Sequence, residues 1–275
     1  MNPDAGSGNH DRDEMVARVE RYAERVRVVD PKSWRVHRAL KDGTEMIVAG
    51  GDGSVGMVAR AVTGSSIPVH IIPTGTANNI AQSLGIVRRE TNLDNVLSDW
   101  TLTGVNAIEC GREIAIESVG CGAIAQLIRD EPDVDRSTLP AERKKLRQLI
   151  EEVPAFEYEL TLDQATRRTG KAVLIEVLVM PQIGPRVVLA RKATYAGATL
   201  AIVVVHANER ERLTRFLGTQ TGSRAMLRTI RATNVTITCD APWHIDDDPR
   251  RARKRTLRLI PAGWRVFVPK KNAGA

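Results

Sequence analysis

A glycine-rich segment, Gly50 to Ser54, carries the clearest chemistry in this 275-residue sequence. It reads Gly-Gly-Asp-Gly-Ser and follows a buried apolar run, Glu45 to Ala49, that predicts a strand. It precedes a predicted helix with Val55, Val58 and Val62 on one face. Glycines let a backbone approach a phosphate closely, and a helix N-terminus offers unpaired N–H groups. Such turns can also hold glycines without binding anything, but three glycines around one aspartate favour a phosphate site.

The glycine spacing invites a dinucleotide interpretation, which the rest of the sequence does not support. Gly51, Gly53 and Gly56 fit the fingerprint G-x-G-x-x-G, which needs an acid about 20 residues later to hold a ribose. No Asp or Glu occurs between Ser54 and Arg89, and no Walker lysine motif is present. We therefore expect neither a dinucleotide-binding site nor a P-loop.

A second polar loop, Pro73 to Asn79, follows the next predicted strand, Val69 to Ile72. Consecutive loops of a parallel sheet open toward the same edge, so the two loops can face one ligand. Thr76 and Asn78 can hydrogen-bond a phosphate or a ribose, and the alternative is that they cap the helix that follows. A third segment, Asn2 to Gly8, would by itself pass as a disordered polar tail.

The pattern of apolar residues predicts an α/β fold in two domains. Strands and helices alternate over residues 15–102, which indicates a doubly wound parallel sheet, and residues 264–275 could complete it. After Thr103, alternating β-branched runs predict a β-rich, mostly antiparallel second domain over residues 103–263. Three helices are expected to interrupt this second domain, near Ala123–Arg129, Pro140–Glu152 and Glu209–Phe216.

The composition is that of a globular protein, with 42% apolar and 27% charged residues. No apolar run approaches the roughly 18 residues that a membrane-spanning helix needs, and no signal-peptide core is present. We therefore expect a cytoplasmic location. The three cysteines show no metal-ligand spacing and are expected to be reduced core thiols; they are Cys110, Cys121 and Cys239.

The net charge of +7 leaves an anionic partner open. The densest basic run, Arg250 to Arg258, directly follows Asp246 to Asp248. A solvated hairpin with partly cancelling charges is favoured over a patch for membranes or nucleic acid. No aromatic residue lies in the run, which argues against base stacking, so nucleic acid is not an expected partner.

Together the three polar segments resemble the catalytic domain of the diacylglycerol kinase family, which includes bacterial lipid kinases and sphingosine kinases. That family carries N-P-x-x-G-x-G, G-G-D-G-[TS] and P-x-G-T-x-N in this order. The corresponding residues here are Asn2–Gly8, Gly50–Ser54 and Pro73–Asn78. Two weaker matches follow: Ser118–Ala123 resembles S-x-G-x-D-A, and Ile245–Asp248 resembles I-D-G-E.

The resemblance implies a two-domain kinase that binds ATP and Mg²⁺ in the cleft between its domains and phosphorylates a lipid hydroxyl. Residues 1–102 would form the nucleotide-binding domain and residues 103–263 the lipid-substrate domain. Asp52 would hold Mg²⁺ and act in catalysis. Asp248 stands where the family has a late glutamate and would be the base for the acceptor hydroxyl, one methylene shorter. The implied nucleotide-site residues are Asn2, Gly50, Gly51, Asp52, Gly53, Ser54, Gly75, Thr76 and Asn78.

Several departures from the family pattern set further expectations. Gly122 stands where the family has an aspartate, and Ala196 stands where an aspartate holds a structural metal, so we expect that metal site to be lost. The family has a strand before Asn-Pro, so we expect the true start to lie upstream of Met1. For Asp246 and Asp247 we expect a solvent-exposed turn, or else two crowded carboxylates that raise one another's pKa.

Three functions therefore remain open. The leading one is an ATP-dependent lipid kinase that acts on diacylglycerol or a similar lipid at a membrane surface, with a peripheral position at the inner face as one option. The second is a catalytically impaired homologue that binds nucleotide or lipid and has a regulatory role. The third is an NAD kinase, which ranks last because Pro73–Asn78 favours the lipid branch.

Overall fold

The structure is a computed structural model that describes residues 12–21, 25–28, 45–87, 100–130, 139–218 and 227–270. The chain divides into two compact units, residues 1–105 with 262–275 and residues 106–261. Two strands contribute residues to both units: β3 (Trp100–Cys110) and β15 (Lys254–Pro269). The predicted roles of residues 1–102 in nucleotide binding and of residues 103–263 in lipid binding stay predictions. Asn2–Gly8 lies outside the described residues.

The first unit contains the parallel sheet that its pattern predicts. Strands β1 (Met46–Gly50) and β2 (Pro68–Pro73) run parallel, and the end of β15 runs parallel to the other side of β2. Helix α2 (Asp52–Val62) connects β1 to β2 and buries an apolar stripe. It ends before Gly64, whose φ of 82° suits glycine. The unit also contains helices α1 (Arg12–Glu20) and α3 (Asn79–Ser83).

The second unit is an antiparallel sheet, rich in β-branched residues. Its strand order is β12-β6-β7-β5-β13-β14, and β10 pairs with both β7 and β11. The remaining strands are β4 (Glu113–Ala115), β5 (Ser118–Gly122), β6 (Phe156–Leu162), β7 (Thr166–Leu178), β8 (Gln182–Ile183), β9 (Val187–Val188), β10 (Leu200–His206), β11 (Thr229–Ala232), β12 (Asn234–Cys239), β13 (Trp243–Ile245) and β14 (Asp248–Arg250).

Three helices pack their apolar faces against this sheet. They are α4 (Ala123–Asp130), α5 (Leu139–Glu152) and α6 (Arg210–Gly218), close to the predicted bounds. Their buried residues form one core with β7 and β10, as Leu146, Leu174 and Leu213 illustrate. The predicted fold class, a parallel-sheet unit followed by a β-rich antiparallel unit, is confirmed. No helix within the described ranges is both long and apolar enough to cross a membrane.

Candidate phosphate-binding site

The two glycine loops leave the same edge of the parallel sheet. The register of β1 and β2 places Gly50 opposite Pro73, so both strands end at one level. The N–H of Thr74 donates to the carbonyl of Gly50 over 3.0 Å, which ties the second loop to the first. This arrangement puts both predicted loops at the carboxyl end of the strands, where parallel sheets generally bind ligands.

The two loops touch through their backbones at Gly51 and Gly75. A methyl group on Gly75 would lie 2.5 Å from the Cα of Gly51 and 2.9 Å from Oδ1 of Asn78. A methyl group on Gly51 would lie 3.2 Å from the Cα of Gly75. The 2.5 Å distance to a backbone atom means that packing requires glycine at position 75, independently of any ligand, whereas the contact at Gly51 is tight but less severe.

Asp52 joins the first loop to the helix after the second. Its Oδ1 accepts the N–H of Ile80 over 2.9 Å, at the second residue of α3, and its side chain is partly exposed. Asp52 is itself the first residue of α2, where a negative charge is stabilised by the helix dipole. The carboxylate therefore has a structural role in positioning the two loops.

Asn78 organises the second loop from within. It is buried, its backbone is left-handed at φ 52° and ψ 46°, and its side chain makes no cap bond to α3. Its Oδ1 accepts the N–H of Gly75 over 3.0 Å, and its Nδ2 donates to the carbonyl of Gly75 over 2.6 Å. The alternative that the Asn78 side chain caps the helix is therefore wrong. The side chain folds back on its own loop instead.

Gly53 differs from its neighbours because no contact with the described residues explains why it is a glycine. Gly50 is required by packing, since a methyl group there would lie 2.5 Å from the Cβ of Ser54. A methyl group on Gly53 would meet no described atom within 4 Å, and Gly53 is exposed. The N–H of Val55 donates to the carbonyl of Gly51, so the N–H groups of Gly53 and Ser54 precede the first bond of the helix ladder. The N-terminus of α2 therefore has backbone N–H groups outside the helix ladder, next to the exposed Gly53.

A buried ion pair in the second unit was not expected from the sequence. Nε2 of His244 lies 2.8 Å from Oε1 of Glu176, and both side chains are almost fully buried. Nδ1 of His244 lies 2.7 Å from the carbonyl of Asp246, and because a carbonyl only accepts, that nitrogen carries a proton. Burial works to lower the pKa of His244, but Glu176 outweighs it, so the pKa is raised.

Gly120 makes room for this pair. A methyl group on Gly120 would overlap the carboxyl group of Glu176. Gly120 lies between the two partners in the sheet, paired with Glu176 on β7 and with His244 on β13. Two features of the sequence could have indicated this ion pair: Glu176 is an acid within an apolar run, and Gly120 lies in a segment rich in small residues.

The segment Ile245–Asp248 forms a tight hairpin turn in which the three aspartates have different environments. Ile245 pairs with Asp248, so Asp246 and Asp247 are the two turn residues, and Asp246 has a φ of 50°. The Asp246 carboxylate accepts N–H groups from three successive residues, Ile116, Glu117 and Ser118, over 2.8–3.2 Å. The predicted solvent-exposed turn is thus wrong for Asp246. Asp247 is exposed as predicted.

Asp248, the predicted base, begins strand β14 with 58% of its side chain exposed. Its Oδ2 lies 3.7 Å from Nη2 of Arg250. The stronger partner of Arg250 is Glu113, whose Oε1 lies 2.7 Å from Nε. Asp248 is therefore an accessible carboxylate whose neighbour Arg250 is bound mainly to Glu113. The catalytic role of Asp248 stays a prediction.

Ion pairs partly neutralise the basic run. Arg250 and Arg255 both contact Glu113, and Arg258 lies 3.1 Å from Glu109. Burial works to raise the pKa of Glu113, but the two arginines outweigh it and lower that pKa. Glu109 on β3 and Glu113 on β4 thus take part in the three shortest of these ion pairs, while Asp240 and Asp248 lie 3.7–3.9 Å from their arginines.

The loop at Ala196, where the family has its metal-binding aspartate, is held by hydrogen bonds to Asn106. The Asn106 N–H donates to the carbonyl of Tyr195 over 2.7 Å, and its Nδ2 donates to the carbonyl of Gly197 over 2.6 Å. Ala196 itself is exposed and offers no ligand atom on its side chain. That the structural metal site is lost stays a prediction.

The parallel unit with paired glycine loops and the antiparallel second unit together define an α/β fold of the diacylglycerol kinase type. A crystal structure of a diacylglycerol kinase from Bacillus anthracis strain Sterne matches with a TM-score of 0.77, at 15% identity, over 98% of this chain and 96% of that one. At this identity, the match concerns the fold alone.

Sequence comparison finds the same resemblance in the first part of the chain. Residues 1–112 match the family model of the diacylglycerol kinase catalytic domain. A Mycobacterium tuberculosis protein named diacylglycerol kinase is 24% identical over 245 residues, which cover 84% of this chain and 79% of that protein. An uncharacterized Synechocystis protein is 35% identical over 104 residues, 31% of this chain and 24% of that protein. The predicted resemblance to the diacylglycerol kinase catalytic-domain family is confirmed, and the low identities are consistent with a divergent member.

Proposed function

We propose that this chain is an ATP-dependent kinase that transfers a phosphoryl group to a hydroxyl of diacylglycerol or a similar lipid at a membrane surface. The observation that carries the proposal is the backbone contact between Gly51 and Gly75, beside the open N-terminus of α2 at Gly53. Phosphoryl transfer depends mainly on positioning and on neutralising phosphate charge, which a rigid pair of backbone-lined loops can supply. The lipid acceptor is carried over from the names of the relatives.

The residues of the two loops divide into two roles in this proposal. Gly50, Gly51, Gly75 and Asn78 hold the loops in their mutual position. Gly53, Ser54 and Thr76 would then meet the phosphates, through backbone N–H groups and hydroxyls. Asn2, implied by the same motif set, lies outside the described residues.

Magnesium fits this site as an ion that arrives with the nucleotide. Mg²⁺ is usually bound through one or two carboxylates, phosphate oxygens and waters. Asp52 offers one partly exposed carboxylate, and one of its oxygens already accepts the N–H of Ile80. Within the described part of the chain, no group of three or more His, Cys, Asp or Glu side chains could hold a metal alone. Bound there, the ion would supply neutralisation of phosphate charge.

The exposure of Asp248 favours a second candidate function, a nucleotide- or lipid-binding homologue with impaired turnover. A general base works best when it is held against the acceptor hydroxyl, and a misplacement of about 1 Å can cost on the order of a hundredfold in rate. Asp248 is more than half exposed and is one methylene shorter than the family's glutamate. Binding would survive such a change, whereas transfer would not.

A transfer assay separates the two candidates. Purified protein is incubated with γ-labelled ATP, Mg²⁺ and one acceptor at a time: diacylglycerol, ceramide, sphingosine or NAD. The kinase proposal predicts label on a lipid and none on NAD. Saturable nucleotide binding without transfer to any acceptor would support the impaired homologue, and transfer to NAD alone would overturn both.

Replacing Asp248 tests the proposed base directly. Asp248→Ala should lower kcat at least about a hundredfold while the affinity for nucleotide stays unchanged, because the base acts on the acceptor side. Asp247→Ala is the matched control, since Asp247 is the exposed neighbour in the same turn. If Asp248→Ala kept the turnover of the control variant, Asp248 would not be the base.

A further inference from the structure

Two of the three cysteines meet in the second unit. Cys121 lies in β5 and Cys239 ends β12, and their Sγ atoms are 3.4 Å apart, with both residues buried and reduced. Their strands are not neighbours, since β6 and β7 lie between them in the strand order. They meet because the chain turns after Cys239 and enters β13, where Trp243 pairs with Cys121. The contact therefore joins two segments 118 residues apart.

The two thiols differ in their readiness to ionise. Burial raises the pKa of the Cys121 thiol well above its usual value. The hydrogen bond from Cys121 lowers the pKa of Cys239, against the opposing effect of burial. When Cys239 ionises, the S–H of Cys121 is thus the donor that stabilises the thiolate. Cys239 is the better nucleophile of the pair, because the thiolate is the reactive form.

The two thiols also differ in access. Cys239 lines a cleft of about 640 Å³ on the second unit, together with Tyr158, Gly170, Lys171 and Arg253. Cys121 is not among the residues that line this cleft. Cys239 therefore borders the cleft, and Cys121 contacts Cys239 without lining it.

We propose that Cys239 and Cys121 form a reversible redox site, in which a hydroperoxide oxidises the two thiols to a disulfide. The Cys239 sulfur attacks one peroxide oxygen, the O–O bond breaks, and water or an alcohol leaves, so that Cys239 becomes a sulfenic acid. The Cys121 sulfur then attacks the Cys239 sulfur, the S–O bond breaks, and the hydroxyl leaves as water with the Cys121 proton. The two thiols lose two electrons, which the peroxide accepts, and a small thiol reductant reverses the reaction.

The geometry suits this sequence of steps. A disulfide needs a sulfur separation of about 2.05 Å, so the two sulfur atoms must approach by a further 1.3 Å or so. Cys110 provides an internal comparison, because its Sγ lies 3.2 Å from Nη1 of Arg255 rather than beside a second sulfur. Burial raises the pKa of Cys110, so it is expected to react slowly.

The test treats the full wild-type chain with hydrogen peroxide and counts the thiols that can be alkylated after denaturation. The count should fall from three to one, and peptide mapping should find Cys121 linked to Cys239 within one chain. Dithiothreitol should restore all three thiols. This measurement uses the unmodified protein, so a variant that fails to fold cannot obscure it.

Two variants assign the order of the steps. Cys121→Ser should stop the reaction at the sulfenic acid, which dimedone traps on Cys239. Cys110→Ser should leave formation of the link unchanged. The proposal is overturned if all three thiols stay alkylatable, if Cys110 reacts as fast as Cys239, or if the link forms only between chains.

Discussion

The Asp246 carboxylate fastens one hairpin turn to the segment before β5. It accepts the N–H groups of Ile116, Glu117 and Ser118, while the N–H of Asp246 donates to the carbonyl of Ser118 over 2.9 Å. A carboxylate is suited to this role because both of its oxygens only accept. These hydrogen bonds therefore hold the backbone of the turn that precedes Asp248, independently of any chemical role of Asp248.

Changing Asp246 to asparagine should destabilise the fold by about 1–3 kcal/mol, because the amide replaces an acceptor with a donor that faces other donors. The free energy of unfolding, measured in urea, checks this. Asp247→Asn in the same turn is the matched control and should change it by less than about 0.5 kcal/mol, since Asp247 is exposed. Equal effects of the two substitutions would mean that the hydrogen bonds to Asp246 contribute nothing.

The role of Asp246 could not be predicted from the sequence, although its presence in a turn could. Three consecutive aspartates after Ile245 are typical of an exposed turn, and Asp247 and Asp248 fit that pattern. The partners of Asp246 are backbone groups about 130 residues earlier. Every residue except proline has a backbone N–H, so the sequence does not indicate which N–H groups Asp246 binds, and only the folded structure shows the contact.

Three neighbouring strands cooperate to hold one proton in the second unit. Glu176 on β7 and His244 on β13 meet over Gly120 on β5. The bond from Nδ1 of His244 to the carbonyl of Asp246 fixes the ring, so the proton shared with Glu176 is bound at Nε2. Because the folded state holds this proton more tightly than the unfolded chain, stability depends on pH.

The direction of that dependence follows from the raised pKa of His244. The contribution is complete below the usual histidine pKa of about 6.5 and is lost as pH rises through the higher pKa of the folded state. The free energy of unfolding should therefore fall with rising pH, by at most about 1.4 kcal/mol per pH unit for one proton. Denaturant unfolding between about pH 6 and about pH 9 measures it.

Glu176→Gln should remove this slope, because neutral His244 can then accept a hydrogen bond from the new amide at Nε2. Glu157→Gln is the matched control, since Glu157 is exposed on β6 and should leave the slope unchanged. A slope of the same size in Glu176→Gln would show that another group takes up the proton.

The alternation of strand and helix patterns predicted the parallel unit, and the two glycine loops followed from it. Loops after neighbouring parallel strands must open at one edge, so the nearness of Gly51 and Gly75 was implied by their order. The sequence did not imply that Gly51 and Gly75 are in direct contact, because a glycine required by packing and a glycine required by a ligand look the same in a sequence. The structure separates Gly53 from the others on this point.

The whole molecule combines a rigid pair of loops in one unit with two buried polar clusters in the other. The proposed kinase function depends first on the loops, because transfer requires a bound nucleotide. The clusters around Glu176 and around Cys121 both lie in the second unit. Nucleotide binding can therefore be tested separately from turnover.

The most direct test measures ATP affinity by calorimetry for Gly53→Ala beside Gly56→Ala. Both positions lie in α2, and alanine should raise helix stability by about 0.5–1 kcal/mol in each. A methyl group on Gly56 would only approach the flexible side chain of Arg60, at 3.4 Å, whereas one on Gly53 would enter the space proposed for the phosphates. We predict at least about a tenfold loss of ATP affinity for Gly53→Ala and none for Gly56→Ala. Equal affinities in the two folded variants would contradict a phosphate site at the N-terminus of α2.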